Sequence, residues 1–583
     1  MAANQLLQEF PPVSTGAWEE VIRKDLRGAD YAKKLVWQTE EGLAVKPYYR
    51  AEDLAGLSYL DAAPGSFPYL RGTRATADWR IREEIDEVDA EKANQAACSS
   101  IVGGAEEIAF CNIEIKSTND LRILLANLPE IPVHFQNAGE PLLRLLMEKN
   151  PAPAVSTGVI STALDPFTNL IFAAEIVPHV PLTAVPFTIH GEKFDEAGAT
   201  AVQEIGIALA AGIDFLAEMQ SAGVDINRAA ASITFSFAIG SSYFFQIAKL
   251  RAFRMLWARA VESFGGTRES AKARIHARTS RWNETIYDPY VNVLRGTTEA
   301  MSAAIGGADS ISVGPFDECY RKPDESSRRM ARNAQILLKQ EALLCRVSDP
   351  GGGSYCIEVI TDFVAREAWK VMQAIEGAGG YQKAQAGGQV EQALAPSLAA
   401  KEKAVLQRRR IFTGTTQHAN LSEKALERID PSGPRSVRRG AEIYEQLRLR
   451  TERHAAGGGK TPRVLLAEIG DVKMRSARSN FAANFFGCAG FEVVTQHFDS
   501  VDAMANDDTD IIVLCSSDPE YAALAAGLIA RLTALKRTTP VMIAGYPDSV
   551  EQLKALGVAD FIHVRSNPIE LLTKWQQRLG IKS

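Results

Sequence analysis

Near the C-terminus, short apolar runs alternate with amphipathic stretches. "RVLLAEI" has strand length, and "SNFAANFFGCAG" has helical spacing and ends at Gly490, a suitable helix-closing glycine. "FEVVTQ", "DIIVLCSS", "PVMIAG" and "FIHV" read as further strands. "SVDAMAND", "DPEYAALAAGLIARLTALK", "SVEQLKALGV" and "NPIELLTKWQQRLG" read as the helices between and after them. Continuous apolar strands covered by helices predict a parallel, doubly wound sheet, and five β–α units point to flavodoxin-like order.

The front of the chain alternates in the same way. "EEIAFCNIEI", "IPVHFQ", "LIFAAEI", "PFTIHG", "SITFSFAIG", "ARIHART" and "SISVGP" read as strands. Long helical patterns separate many of them, among them 198–223 and 243–266. About eight such units predict a (β/α)8 barrel. The 243–266 helix reads as core packing, with Lys249 and its arginines at the rim. "AWEEVIRKDLRG" is an amphipathic helix ahead of the barrel pattern, an arm suited to lying on another subunit. The expected division is an arm at 1–40, a barrel domain at 41–400, a linker at 401–462 and a flavodoxin-like domain at 463–583. Within the linker, "AAGGGK" has a flexible composition, and the arginine-rich helix before it reads as a solvated or partner-facing connector.

A chain of 583 residues is long enough for such an arrangement without covalent staples. The net charge of −7 and pI near 5.8 argue against nucleic acid or an anionic membrane as main partner. The seven cysteines form no C-x-x-C pair, and the eight histidines show no metal-binding spacing. The start of the chain has no basic or apolar leader pattern, and no run of about 18 apolar residues occurs. A cytoplasmic protein is expected.

The chemistry of the C-terminal domain raises a question. After its first strand, where a doubly wound sheet holds ligands, the chain offers Lys473, Arg475 and Arg478 in an expected loop. It has no histidine, nucleophile or phosphate-cradling glycines there. Ser516 and Ser517, after the third strand, read as helix caps rather than ligand contacts. "DPGGGS" (349–354) lacks the Lys-Ser/Thr of a phosphate loop and reads as a tight turn. "QRRR" (407–410) reads as a solvated connector. His190 reads as a satisfied core histidine.

Long segments at 34–54, 64–72, 79–86, 195–216, 235–266 and 332–358, together with the C-terminal domain, resemble the methylmalonyl-CoA mutase family. The resemblance implies a barrel that holds acyl-CoA along its axis and a flavodoxin-like domain for cobalamin. It implies a histidine as lower cobalt ligand, in an Asp-x-His-x-x-Gly motif. Aligned back from "CAGFEVV", those three positions fall on Lys473, Arg475 and Arg478. A guanidinium is permanently cationic and has no lone pair for cobalt. The family's Gly-Gly pair after the fourth strand becomes Gly545-Tyr546, where the tyrosine ring is expected to fill the cofactor's slot.

In the barrel, the family's active-site tyrosine has no counterpart in "TRATAD" (73–78). Its Tyr-His pair becomes Glu192-Lys193, and a further histidine becomes Ser312. These losses, on a retained scaffold, resemble the family's small, non-catalytic branch. That branch implies no catalytic, cofactor-binding or metal residues here. It implies a heterodimer with a homologous large catalytic chain, which carries adenosylcobalamin and interconverts methylmalonyl-CoA and succinyl-CoA. The alternatives are an autonomous cobalamin-dependent mutase and a coenzyme A ester binding module.

Overall fold

The structure is a computed structural model describing residues 12–136, 139–147, 160–180, 184–430 and 438–582. Eight parallel strands close into a barrel: β1 (Arg80–Ile85), β2 (Glu107–Phe110), β3 (Val133–Phe135), β4 (Ile160–Leu164), β5 (Val185–His190), β6 (Ile233–Ile239), β7 (Ile275–Thr279) and β8 (Ser310–Ser312). Closure runs through Ser310, which registers with Arg80 of β1 and His276 of β7. Alternation along each strand sorts the side chains. Ile85, Ile108, Phe110, Phe135, Ile189 and Phe235 face outward into apolar clusters under the helices. The inward positions are polar, which departs from the branched apolar filling usual in such barrels.

One run read as a strand is a helix. "LIFAAEI" is the helix Leu170–Ile176, capped by Asn169, whose side chain accepts from the Phe172 amide. Its buried residues, Phe172, Ala173 and Ile176, share one face of a helix. The strand of that unit is β4, just upstream.

The outer layer is anchored by α1 (Ala201–Ser221), α2 (Tyr243–Ser263), α3 (Val291–Gly306) and α4 (Tyr355–Gly377). Thr200 and Gln203 form a capping box at the start of α1, and the Glu41 carboxylate accepts from Ala201 N at 3.0 Å. Gly206 lets α4 approach: a Cβ there would stand 2.8 Å from the Ala368 carbonyl oxygen.

The cations of α2 lie inside the packing rather than at its rim. Lys249 is 1% exposed and donates to Glu204 Oε2 at 2.6 Å. Arg251 is fully buried. Its Nε and Nη2 reach the two Asp349 oxygens at 2.9 and 3.0 Å. Glu358 and Thr361 take the remaining three N–H groups. These bonds fix "DPGGGS" as a turn, with Gly353 at φ +84° and its amide on Glu358 Oε1.

The second domain is a five-stranded parallel sheet: β9 (Arg463–Glu468), β10 (Glu492–His497), β11 (Ile511–Cys515), β12 (Val541–Ala544) and β13 (Asp560–Ile562). Its order is β10-β9-β11-β12-β13, the flavodoxin-like arrangement, with the switch point between β9 and β11. The connector helix α5 (Glu442–Ala456) is not solvated. Tyr444 and Leu447 enter the core of this domain. Glu445 accepts from Ile286 N at 2.8 Å, Glu452 accepts from the Tyr287 hydroxyl at 2.9 Å, and Arg448 lies over the Tyr287 ring. The arginine-rich helix thus joins both domains. Arg410 of "QRRR" is likewise engaged, with Glu40 at 3.0 Å and Asn283 at 3.3 Å.

Replacing Arg251 with Leu leaves the buried Asp349 and Glu358 with only the more distant Arg71, at 3.9 and 4.0 Å, so a loss of roughly 3–5 kcal/mol is expected in chemical denaturation. A loss below about 1 kcal/mol contradicts this reading of the α2–α4 contact. Glu299 of α3 offers a pH test. Burial pushes its carboxyl up to about 8, against the Asn283 amide that donates to it at 2.8 Å. A raised carboxyl contributes stability fully present below about pH 4 and lost as pH rises towards 8. Glu299→Gln removes that loss, so its melting temperature gains on the wild type between pH 5 and 8, by at least about 1 kcal/mol of stability at the upper end. An unchanging difference across that range contradicts the assignment.

Candidate functional site

The switch point of the sheet is where a ligand of this fold is held. Between Glu468, the end of β9, and the next helix lie only Ile469, Gly470 and Asp471. The Asp471 side chain accepts from Met474 N at 2.8 Å and starts the helix α6 (Val472–Gly487). Lys473, Arg475 and Arg478 therefore lie on the first turns of α6, not in a loop. Cations at a helix N-terminus oppose the helix dipole, so local acceptors matter. Arg475 Nη1 lies 3.3 Å from the Gly470 carbonyl oxygen and 3.4 Å from His497 Nε2. His497 Nδ1 lies 3.0 Å from the Glu468 carbonyl oxygen. Donation to that oxygen leaves Nε2 as an acceptor, engaged by Arg475. Lys473 is exposed.

Arg478 reaches across the switch point. Its Nη2 donates to Asp518 Oδ1 at 2.9 Å, in the loop after β11. Its Nη1 stands 3.0 Å from where a Cβ on Gly545 would lie, so the guanidinium covers the backbone after β12. The expected filler, Tyr546, does something else. It is 59% exposed, and its ring packs on His563 at 4.8 Å and Phe561 at 6.0 Å. The basic side chain, not the aromatic one, occupies the slot.

Glu520 closes the space above the same strands. It accepts from Ser516 Oγ at 2.6 Å, from Ser517 Oγ, from Ser517 N at 3.1 Å and from Asp471 N at 3.4 Å. These donors, the two serines first, hold its carboxyl down to about 2. A Cβ on Gly470 would lie 2.5 Å from its oxygens. Ser516 and Ser517 thus serve a capping network, as their spacing implies, and the capped acid ties the loop after β11 to the loop after β9. The sequence signal for Glu520 was the Ser-x-x-Glu box; nothing marked His497.

At the barrel mouth, Glu192 and His190 meet. His190 Nδ1 lies 2.6 Å from Glu192 Oε1, and its Nε2 lies 3.0 Å from the Ala163 carbonyl oxygen. Burial draws this imidazole down, but Glu192 outweighs it and the net shift is upward. Both ring nitrogens are engaged, so His190 is a satisfied histidine. Lys193, next along the helix Glu192–Glu196, is exposed. Ser312 is buried, and its hydroxyl lies 3.4 Å from the Arg82 carbonyl oxygen. These three positions do not converge on one reaction centre with any hydroxyl or imidazole left to act.

Arg278 of β7 is buried in an ion cluster at the C-terminal end of the barrel strands. Its Nε lies 3.0 and 3.2 Å from the Glu84 oxygens, and its Nη2 lies 2.9 and 2.7 Å from those of Glu318. Arg281 approaches Glu318 at 3.7 Å. Burial and neighbouring Glu318 push the Glu284 carboxyl well up, while Arg278 and Arg281 overcome burial to hold Glu318 down. A cavity of about 80 Å³ lies beside this cluster, lined by Glu84, Glu284, Glu318 and Arg439 among others. One layer down, Glu107 joins Arg82 at 2.9 Å and His134 at 3.2 Å across three strands. Among the described residues no group of three or more histidine, cysteine or acidic side chains is placed to hold a metal ion, and no helix is long and apolar enough to cross a membrane.

Comparison with known proteins identifies the family. The family model for methylmalonyl-CoA mutase matches residues 38–116 and 168–458. The chain is 37% identical to a methylmalonyl-CoA mutase small subunit of Porphyromonas gingivalis, with 99% of each chain covered. It is 31% identical to a methylmalonyl-CoA mutase small subunit of Streptomyces virginiae, over 99% of this chain and 98% of the relative. A methylmalonyl-CoA mutase of Escherichia coli is 31% identical over 69% of this chain and 63% of its own length. With its barrel, its flavodoxin-like sheet and these relatives, the chain belongs to the methylmalonyl-CoA mutase family.

Proposed function

We propose that this chain is the small, non-catalytic subunit of a heterodimeric, cytoplasmic methylmalonyl-CoA mutase. Its partner is a homologous large chain that binds adenosylcobalamin and the acyl-CoA and carries out the interconversion of methylmalonyl-CoA and succinyl-CoA. The observation that carries this reading is the filling of both ligand routes by the chain's own charged side chains. Arg278 pairs with Glu84 and Glu318 at the C-terminal end of the barrel strands, and Arg478 with Glu520 occupies the switch point. Relatives named as small subunits align over essentially the whole chain, which supports the same assignment.

The residues present do not fit a corrin. Arg475 cannot coordinate cobalt, its neighbour His497 already accepts a hydrogen bond, and a fixed cation over Gly545 stands where the backbone must be bare. An autonomous mutase is disfavoured by the loss of a tyrosine and two histidines, since positioned proton donors and electrostatic partners contribute about 10²–10⁴-fold each. The helix Thr15–Asp25 fits a partnered chain. It has no buried residue, and Trp18 and Val21 are 44% and 58% exposed. An amphipathic helix of this kind gains most when covered by another subunit.

The purified chain is expected to show no mutase turnover and no corrin absorbance, and mixing with the large chain gives turnover. Arg475→His alone stays colourless in adenosylcobalamin, because Arg478 and Glu520 still occupy the site. Stoichiometric corrin uptake by either the wild type or that variant in isolation contradicts the proposal.

A further inference from the structure

Glu299 of α3 belongs to neither site described above, yet it lies beneath the junction of the two domains. It is 3% exposed, and the Asn283 amide donates to it at 2.8 Å. Asn283 ends the three-residue turn Arg281–Asn283 after β7, and that turn also carries Trp282. The Trp282 carbonyl oxygen accepts from Gly440 N at 2.9 Å. A Cβ on Gly440 would stand 2.5 Å from the Phe412 ring and 2.9 Å from Trp282 Nε1. Phe412 in turn belongs to the core of the second domain. One short turn therefore touches the buried acid with one residue and the domain junction with the next.

Two guanidiniums tie the connector 410–413 down over the same acid. Arg410 donates to Glu40 at 3.0 Å and to Ser241 Oγ and Asn283 Oδ1 at 3.3 Å each. Arg295, one helical turn before Glu299 on α3, donates to the Thr413 carbonyl oxygen at 2.9 Å, and also to Thr285 and Asn292. The charged groups acting on Glu299 are Asp195 from the helix Glu192–Glu196, Arg295 from α3 itself and Arg410 from the connector. Behind them, Lys401 lies 3.9 Å from Asp195, and Glu40 pairs with Arg410. Among the described residues, no cation reaches the Glu299 carboxyl within ion-pair distance. Burial, the leading cause, raises this carboxyl to about 8, so at neutral pH it holds its proton. Ionisation leaves a buried anion with an amide as its contact, which is costly. Water relieves the charge by entering where Asn283 meets Arg410. Arg295 relieves it by leaving Thr413. Either route loosens the connector.

We propose that Glu299 is a proton-operated latch on the interdomain connector: protonated, it lets Arg410 and Arg295 seat residues 410–413 on the barrel, and loss of the proton loosens that seat. The latch is independent of whether the chain pairs with a catalytic subunit. Its sign follows from linkage. A raised carboxyl favours the closed form fully below about pH 4, and that preference is lost as pH rises towards 8. The test is hydrogen exchange of the full-length chain between pH 6 and 9, read by mass spectrometry, with each rate divided by the intrinsic rate at that pH. Protection of the peptide 411–418 falls at least about fivefold between pH 6.5 and 8 and levels off above, within the limit of about tenfold per pH unit for one proton. The connector exchanges faster than β6 at each pH, which marks a local opening rather than global unfolding. Glu299→Gln, which keeps the shape and cannot ionise, removes the fall. Wild-type protection that stays within about twofold overturns the proposal whether or not the variant folds. A connector that opens only together with β6, or a fall that Glu299→Gln retains, overturns it as well.

Discussion

A guanidinium buried in a barrel must find acceptors for its N–H groups, because desolvating an unpaired charge costs several kcal/mol. Arg278 meets this constraint with Glu84 on one side and Glu318 on the other. Glu84 comes from the first strand, Arg278 from the seventh, and Glu318 from the segment after the eighth, so one ion cluster ties the closing strands together. The cluster places interlocked charges at the C-terminal end of the barrel strands, beside the buried acid Glu284.

The second domain repeats the arrangement in miniature. Its strand order and switch point are those of a ligand-binding sheet, yet Arg478 spans the gap from α6 to Asp518 and lies over Gly545. Glu520 bridges the two loops from the other side. Arg475, Arg478 and Glu520 at the site each engage neighbours in the chain, while Lys473 is exposed. The domain keeps its fold because its two apolar faces, packed by α6 and the other helices, do not depend on what the loops hold.

The alternation of apolar runs made both domains legible, since parallel strands buried under helices leave a period that does not depend on what the loops carry. Misreadings arose where local patterns compete. "LIFAAEI" is as apolar as a strand, but the Asn169 cap and one-faced burial make it helical. The basic stretch after β9 looked like a loop because cations disfavour a helix start, whereas Asp471 capping decided otherwise. The helix α5 looked solvated because it is rich in charge, yet Glu445, Arg448 and Glu452 find buried partners in the barrel segment 286–287 and the loop at 420–426. The lumen cluster was not legible at all: Arg278 and Glu84 are 194 residues apart, and only the closed barrel brings them together. Tyr546 was the obvious filler of the cofactor slot by position, but Arg478 is longer and has an acid to anchor it.

The central claim is that this chain's own side chains take the places of the family's ligands. The most direct measurement is the corrin content of the assembled two-chain complex, by equilibrium dialysis against adenosylcobalamin. One corrin per pair of chains is the predicted result. Two per pair, one of them lost when this chain's C-terminal domain is altered, contradicts the account.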